Sequence, residues 1–102
     1  MFIGVARYDM FIPSSGSLKD KRQVTRAVTQ TIRKKFNVAI AEVDFLDKWQ
    51  RTAFGVSVIA GSPGHCRDVL QEVEKAIARS AIDGGEIVDR SVEIVSLEDL
   101  IP

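Results

Sequence analysis

Residues 38–60, VAIAEVDFLDKWQRTAFGVSVIA, contain two apolar runs separated by a short polar stretch. Both runs are rich in β-branched and aromatic residues, which favour strands, and the few residues between them are typical of a turn. We predict a β-hairpin with strands over 38–46 and 50–60 and a turn near Asp47 and Lys48. This hairpin decides the fold, because it joins two halves of the chain that each contain a strand, a helix and a strand.

The sequence before the hairpin begins with an alternating apolar run, FIGVARYDMFI. We predict a strand over residues 2–12, because Pro13 lacks the N–H group that would continue a ladder. Side chains of a strand point alternately to its two faces. One set is therefore expected to face the core: Phe2, Ala6, Tyr8 and Met10.

A helix is predicted over residues 18–36. Ser17 is the expected N-cap, and Asp20 in the first turn suits the positive end of the helix dipole. Apolar residues recur at the spacing of one helix face. These residues are Val24, Val28, Ile32 and Phe36.

The sequence after the hairpin predicts a second helix and a last strand. The helix is expected over residues 64–81, and Asp83, Gly84 and Gly85 should end it. EIVDRSVEIV, residues 86–95, then reads as a strand. The helix has a core-facing stripe formed by Cys66, Val69, Leu70, Val73, Ala76 and Ile77.

The predicted order is βαββαβ. With right-handed crossovers this order gives an α+β, ferredoxin-like fold: a four-stranded antiparallel sheet with two helices on one face. A chain of 102 residues, 45% of them hydrophobic, is expected to form one domain over residues 1–102. The N-terminal segment lacks the features of a signal peptide, and no apolar run is long enough to span a membrane. We therefore expect a cytoplasmic protein without a membrane partner.

Charge is distributed unevenly along the chain. Residues 1–51 carry ten basic and five acidic side chains, and residues 52–102 carry four and nine, so the halves have net charges of +5 and −5. On the first helix, Asp20 is the one acidic residue. Four cations fall on the side opposite the apolar stripe, at 100° per residue: Lys19, Arg22, Arg26 and Arg33. This stripe is either an ordinary solvated helix face or a surface that follows the phosphates of a nucleic acid.

The position of the turn predicts the hairpin register. In that register Ala41 faces Phe54, Asp44 faces Arg51, and Leu46 faces Trp49. Ala39, Ala41, Val43 and Phe45 should then meet the helices, and Ile40, Glu42, Asp44, Leu46, Trp49 and Arg51 should lie on the uncovered face. Two interpretations remain for Leu46, Trp49 and Arg51: cross-strand packing, or a patch that binds a partner.

The uncovered sheet face is predicted to be apolar enough to favour a homodimer. The side chains expected there are Ile3, Val5, Ile40, Leu46, Trp49 and Ile59.

No catalytic or metal site is predicted. His65 and Cys66 stand side by side without a third orienting group, and Cys66 lies on the apolar stripe, so we expect a surface histidine and a core cysteine. Glu42 and Asp44 share a face in the predicted register, but an ion pair between Asp44 and Arg51 explains that arrangement more simply than acid–base catalysis. We expect neither a cofactor nor a small-molecule substrate.

Several segments together closely resemble the YlxP-like family of small bacterial proteins, a domain of unknown function. They are Ser17-Leu18-Lys19 with Lys21-Arg22, Phe36-Asn37, Ala41-Glu42-Val43 and Trp49-Gln50-Arg51. The resemblance implies a ferredoxin-like fold and a bacterial cytoplasmic protein often encoded beside genes for transcription elongation, translation initiation and ribosome maturation. It implies no catalytic residues.

These observations favour a non-enzymatic binding protein. RNA or the ribosome is the expected partner, through the basic stripe of the first helix. The alternative is a homodimeric interaction module that uses the uncovered sheet face.

Overall fold

The computed structural model describes residues 1–81 and 84–101. Four strands and two long helices follow one another in the predicted order, and a short helix that the sequence did not predict follows the last strand. The elements are β1 (Phe2–Phe11), α1 (Leu18–Lys35), β2 (Ala39–Asp44), β3 (Arg51–Ala60), α2 (Pro63–Ser80), β4 (Glu86–Ser96) and α3 (Leu97–Leu100). Most predicted bounds are correct to within one residue. The exception is β2, which is three residues shorter than predicted.

The strands form one antiparallel sheet in the order β2-β3-β1-β4. Both long helices cover the same face, with α1 against β2 and α2, and α2 against β1, β3 and β4. The predicted ferredoxin-like α+β fold is therefore confirmed. Its two edge strands are β2 and β4.

Each long helix begins at a serine cap. The hydroxyl of Ser17 accepts a hydrogen bond from the backbone N–H of Asp20 at 3.0 Å, and the Asp20 carboxylate accepts one from Gly16 at 3.1 Å. Ser62 caps α2 in the same way by accepting from His65. These caps satisfy N–H groups that have no partner within the helix. The cap predicted at Ser17 is confirmed, and α2 begins one residue earlier than predicted.

The core lies between the sheet and the two helices. The predicted face of β1 is correct, since Ala6, Tyr8 and Met10 are buried against the helices. Both predictions for the start of α2 are correct: Cys66 is buried, and His65 is exposed. The other buried apolar side chains of this cluster are Ile12, Val28, Ile32, Ile40, Phe54, Val56, Val58, Leu70, Val73, Ala76 and Ile77.

Gly4 lets α2 approach β1 closely. A methyl group at Gly4 would lie 3.0 Å from a methyl carbon of Leu70 and 3.1 Å from Cβ of Cys66. Contacts this short are tighter than most that real Cβ atoms make, so the side chains of Leu70 and Cys66 would have to shift by a few tenths of an ångström to admit one here.

The predicted register of β2 against β3 is wrong by one residue. Ala41 pairs with Gly55, and Glu42 pairs with Phe54. An irregularity then lets the pairing continue from Asp44 to Ala53, with Val43 as the extra residue. A slip of one residue moves side chains to the other face of a sheet. Ile40 and Glu42 therefore face the helices, and Ala39, Ala41 and Val43 face the uncovered side, the reverse of the prediction.

The predicted turn is also wrong in length. Six residues, 45–50, separate β2 from β3, so Leu46 and Trp49 belong to a loop and not to the ladder. The predicted end of α2 is partly tested, because Asp83 lies outside the described residues. Among the residues that are described, no helix is both long and apolar enough to cross a membrane.

Candidate functional site

The four predicted cations of α1 form one exposed surface, which we call the basic surface: Lys19, Arg22, Arg26 and Arg33. None of the four forms an ion pair with any of the residues that the structure describes. The carboxylate of Asp20, the one acid of this helix, accepts a hydrogen bond from the backbone N–H of Gly16. This single carboxylate can offset at most one of the four positive charges of the basic surface.

The basic surface lies beside the outer edge of β2. The guanidinium of Arg33 donates a hydrogen bond of 2.9 Å to the backbone carbonyl of Ile40. Lys34 and Lys35 add two further exposed cations in the last turn of the helix. One face of the molecule thus carries a row of positive charge along α1.

Lys21 is a site residue that the sequence reasoning missed. Its side chain is 1% exposed, and its ammonium lies 3.0 Å from a carboxylate oxygen of Glu42. The same ammonium donates to the carbonyl of Phe45 at 2.5 Å and approaches the carbonyl of Arg51 at 3.3 Å. A buried ammonium needs such partners for its protons. Lys21 thereby fastens α1 to both ends of the loop between β2 and β3.

Glu42 is held from two sides. The same oxygen that contacts Lys21 accepts a hydrogen bond of 2.6 Å from the hydroxyl of Thr52, which is fully buried. The helix spacing contained a signal for this cluster, because Lys21 falls on the same stripe as Thr25, Val28 and Ile32. A buried cation needs an anionic partner on the facing strand. The predicted register placed Glu42 on the uncovered face, so Glu42 was not recognised as that partner.

The loop of residues 45–50 has a defined backbone. Phe45 adopts a φ of 59°, a conformation that costs a bulky residue free energy. Three contacts hold it there: the Asp44 carboxylate accepts from its N–H, and its carbonyl accepts from Lys48 as well as from Lys21. Further along, the side chain of Gln50 donates to the carbonyl of Pro13 at 3.0 Å. The loop is thus fastened to the segment that leads into α1.

A charged cluster lies on the uncovered face beside this loop. Arg7 bonds Asp9 at 2.7 Å and Asp44 at 2.9 Å, and the ring of Phe45 lies 5.8 Å from its guanidinium carbon. Hydrogen bonds from Arg7 and from the backbone of Phe45 lower the pKa of Asp44. Hydrogen bonds to the carboxylates of Asp9 and Asp44 raise the pKa of Arg7. The predicted pair between Asp44 and Arg51 is therefore replaced by one between Asp44 and Arg7.

Arg51 lies on the uncovered face as predicted, but its partners differ from the predicted Asp44. Its guanidinium carbon lies 5.0 Å from the centre of the Phe45 ring, within the range of a cation–π contact, and its terminal nitrogen is 3.9 Å from Asp9. Trp49 and Arg51 line one cleft of about 370 Å³ with Asp47, Lys48 and Gln50. Leu46 does not line it, although Leu46 and Trp49 are 63% and 54% exposed. The structure thus brings Trp49 and Arg51 together and leaves Leu46 apart.

The uncovered sheet face carries a different set of apolar side chains from the one predicted. Ile40 is buried under α1, whereas Ile3, Val5 and Ile59 point to the uncovered side as predicted. Val43 joins them from β2 and lies over Gly55, where a methyl group would come within 2.9 Å of it.

Glu42 and Asp44 do not form a pair of catalytic carboxylates. They lie on opposite faces of the sheet, one bound to Lys21 and the other to Arg7. In the part of the chain that the structure describes, no three side chains among His, Cys, Asp and Glu are grouped so that they could hold a metal ion.

Residues 3–92 match a protein family described as "Protein of unknown function (DUF503)". The chain belongs to this family. It is 39% identical over 71 residues to the uncharacterized protein YlxP of Bacillus subtilis (strain 168), an alignment that covers 70% of this chain and 77% of that protein. The matched residues of DUF503 include the basic surface, Lys21 and the loop of residues 45–50. The resemblance to a YlxP-like family is therefore confirmed.

Two solved structures are similar to this chain in fold. The first is a C-terminal segment of the alpha subunit of aIF2 from Pyrococcus abyssi, with a TM-score of 0.54 and 15% identity over 95% of this chain. This DUF503 chain spans about half, 51%, of that segment. The second is a de novo designed protein with ferredoxin fold, with a TM-score of 0.48, 12% identity, and coverage of 93% of this chain and 83% of the design. At such identities the likeness concerns the fold alone.

Proposed function

We propose that this protein is a non-enzymatic binding protein that associates with RNA or the ribosome through the basic surface of α1. The observation that carries the proposal is the exposure of Lys19, Arg22, Arg26 and Arg33 without an acidic partner among the described residues. Because the chain has no net charge, attraction to a polyanion has to come from a local surface of this kind.

The dimensions of the basic surface suit a phosphate backbone. Residues 19–33 of a helix extend over roughly 20 Å, at about 1.5 Å per residue. Three of the four cations are arginines, whose planar guanidinium can bond two phosphate oxygens at once. Contacts of this type give affinity without distinguishing one base sequence from another.

The loop of residues 45–50 carries an exposed aromatic side chain. Lys21 fastens this loop to the first half of α1, and Lys48 and Trp49 are exposed on it. In this proposal, a single strand bound along α1 also contacts the indole ring of Trp49. Bases of any type stack on such a ring, which favours single-stranded RNA over a duplex.

The test is to reverse charge on the basic surface. The double variant Arg22→Glu with Arg26→Glu should abolish co-sedimentation with ribosomes and binding to single-stranded RNA. Its thermal stability should change little, because both side chains are exposed and unpaired. In the parent protein, affinity should fall with salt by about one unit of logarithmic slope for each phosphate contact.

The matched control is Arg67→Glu with Arg79→Glu on α2. It makes the same change in net charge at two exposed arginines of the other helix. The proposal requires that this control keeps its binding. Equal binding by the parent and both double variants at all salt concentrations would show that the basic surface is only a solvated helix face.

A second candidate function is a homodimeric interaction module. It is favoured by the exposed apolar side chains of Val5, Val43 and Ile59 on the uncovered face, beside the partly buried Ile3. A two-fold interface buries the same surface of both copies, so this face could cover itself. The variant Ile59→Lys should then sediment as a monomer at equilibrium, and Trp49→Ala should weaken the dimer. A mass of one chain at high concentration in the parent protein would exclude this function.

A further inference from the structure

Among residues 1–81 and 84–101, no strand pairs with the outer edge of β4. β4 spans 11 residues, more than any other strand, and pairs with β1 on one side. Its register shifts at Val88, and residues 89–96 then pair without interruption with β1. Alternate N–H and C=O groups of this segment point away from β1 and can bond an added strand.

The other edge of the sheet is closed. β2 has only six residues and contains the irregularity at Val43. The guanidinium of Arg33 donates a hydrogen bond to its Ile40 carbonyl. Short strands, bulges and covering side chains are the usual devices that prevent strand addition. β4 has one bulge near its start and a long uninterrupted segment after it.

A groove follows β4 on the helix side of the sheet. Because α2 packs over β1, Val92 of β4 remains 45% exposed although it points toward the helices. The groove has a volume of about 250 Å³, and Tyr8, Leu70, Glu74 and Arg90 line it with Val92. Arg67 and Gln71 also line it, and Glu74 pairs with Arg90 at 2.6 Å, so Tyr8, Leu70 and Val92 form the apolar part of its wall. Small apolar side chains would fit there.

The opposite side of β4 is acidic. Glu86, Asp89 and Glu93 point to the uncovered face together with Ser91 and Val95, so this side of the strand has three carboxylates and no cation. A segment added to β4 would therefore meet carboxylates with one set of its alternating side chains and the apolar groove with the other.

We propose that the edge of β4 binds an extended segment of another protein in which basic and apolar residues alternate. The segment adds to the sheet as a fifth strand, with backbone hydrogen bonds to residues 89–96. Its basic side chains meet Asp89 and Glu93, and its apolar side chains enter the groove beside Val92. This site lies on the side of the molecule away from the basic surface and does not depend on RNA binding.

A second copy of this chain fits the edge less well. A two-fold interface would bring two identical acidic strands together. In the antiparallel pairing centred on Ser91, Asp89 of each copy would stand opposite Glu93 of the other, and like charges opposite each other destabilise a sheet. Nucleic acid is disfavoured by the same carboxylates.

The test uses a synthetic peptide of about eight residues in which lysine and valine alternate, blocked at both ends, because strand addition places alternate side chains on opposite faces. We expect saturable binding by fluorescence anisotropy, together with slower hydrogen exchange at alternate amides of residues 89–96. A peptide that alternates glutamate and valine should not bind. Nor should the lysine peptide when all of its backbone amides are N-methylated, since it then has no N–H group to donate to β4 in either strand direction.

The variant Asp89→Lys with Glu93→Lys should bind the lysine peptide at least about tenfold more weakly. The matched control is Asp47→Lys with Asp68→Lys, two exposed carboxylates outside the groove, and it should bind like the parent. Arg22→Glu with Arg26→Glu should also bind the peptide normally, which separates this proposal from the one for RNA.

Three results would overturn the proposal: equal binding of the lysine and glutamate peptides, equal binding of the N-methylated peptide, or protection of the β4 amides by concentration alone as the apparent mass doubles. The last result would assign the edge to a second copy.

Discussion

Each long helix is joined to an edge strand by one ion pair, and the two ion pairs differ in burial. Lys21 of α1 and Glu42 of β2 have side chains that are 1% and 19% exposed. Glu74 of α2 and Arg90 of β4 are 26% and 59% exposed. The first pair is part of the core, and the second lies at the surface.

The difference shows how two similar halves acquire different edges. On the α1 side, the buried pair and the contact from Arg33 close β2, and the remaining cations of the helix point outward. On the α2 side, the helix leaves β4 partly uncovered, and carboxylates collect on it. One half of the fold therefore presents a closed, positive edge and the other an open, acidic edge.

The largest expected effect comes from breaking the buried pair. Lys21→Met should lower the free energy of unfolding by about 3 kcal/mol, the lower end of the range for such pairs, because the Glu42 carboxylate keeps some exposure. Urea unfolding measures the loss. Lys19→Met, at an exposed position of the same helix, should change stability by less than about 0.5 kcal/mol.

The double variant Lys21→Met with Glu42→Gln sharpens this test. It removes the carboxylate that the single variant leaves without its cation, so it should recover part of the lost stability. A double variant less stable than Lys21→Met would show that the bonds from Lys21 to the loop carbonyls matter more than its pairing with Glu42.

A smaller effect, confined to alkaline pH, is expected on the α2 side. Burial raises the pKa of Tyr8 to about 12 from 10.0, and its hydroxyl donates to the carbonyl of Leu70 at 2.8 Å. Because the unfolded chain ionises first, this contribution to stability is complete below pH 10 and is lost as the pH rises toward 12. Tyr8 is the only tyrosine, so phenolate absorbance of the folded protein reports its pKa directly. Half-ionisation near pH 10 would contradict the prediction.

A change of about 1 kcal/mol is expected at the closed edge. Arg33→Met removes the hydrogen bond to the Ile40 carbonyl and should speed hydrogen exchange in β2. Arg26→Met, which removes an exposed cation from the same helix, provides the comparison and should leave β2 exchange unchanged.

The smallest effect is expected at the surface pair. Arg90→Met should change the free energy of unfolding by less than about 1 kcal/mol, as exposed pairs usually do. Lys75→Met, which removes the exposed pair with Glu72 on α2, should have a similar effect. A loss for Arg90→Met as large as that for Lys21→Met would remove the contrast between the two edges.

The sequence predicted most of the architecture, because helical and strand periodicity follow from local geometry. The core face of β1, the stripe on α2 and the cap at Ser17 were all read from spacing. The predicted register of β2 was wrong because the prediction assumed a two-residue turn and an uninterrupted strand. A six-residue loop and the extra residue at Val43 replaced them. Lys21, which is distant in sequence, contacts residues beside both features: Glu42, Phe45 and Arg51.

Local sequence patterns account for the order of the elements, the two amphipathic helices and the row of cations on α1. Tertiary packing determines which of the charged side chains are exposed and which are buried in ion pairs. Helix spacing places Lys21 on the buried stripe but does not identify its partner: Lys21 lies under the loop with Glu42, and Lys19 faces solvent. That difference depends on a contact across 21 positions between a helix and a strand whose register no local pattern fixes. The exposure of β4 also depends on tertiary packing, because it is set by the position of α2 on the sheet.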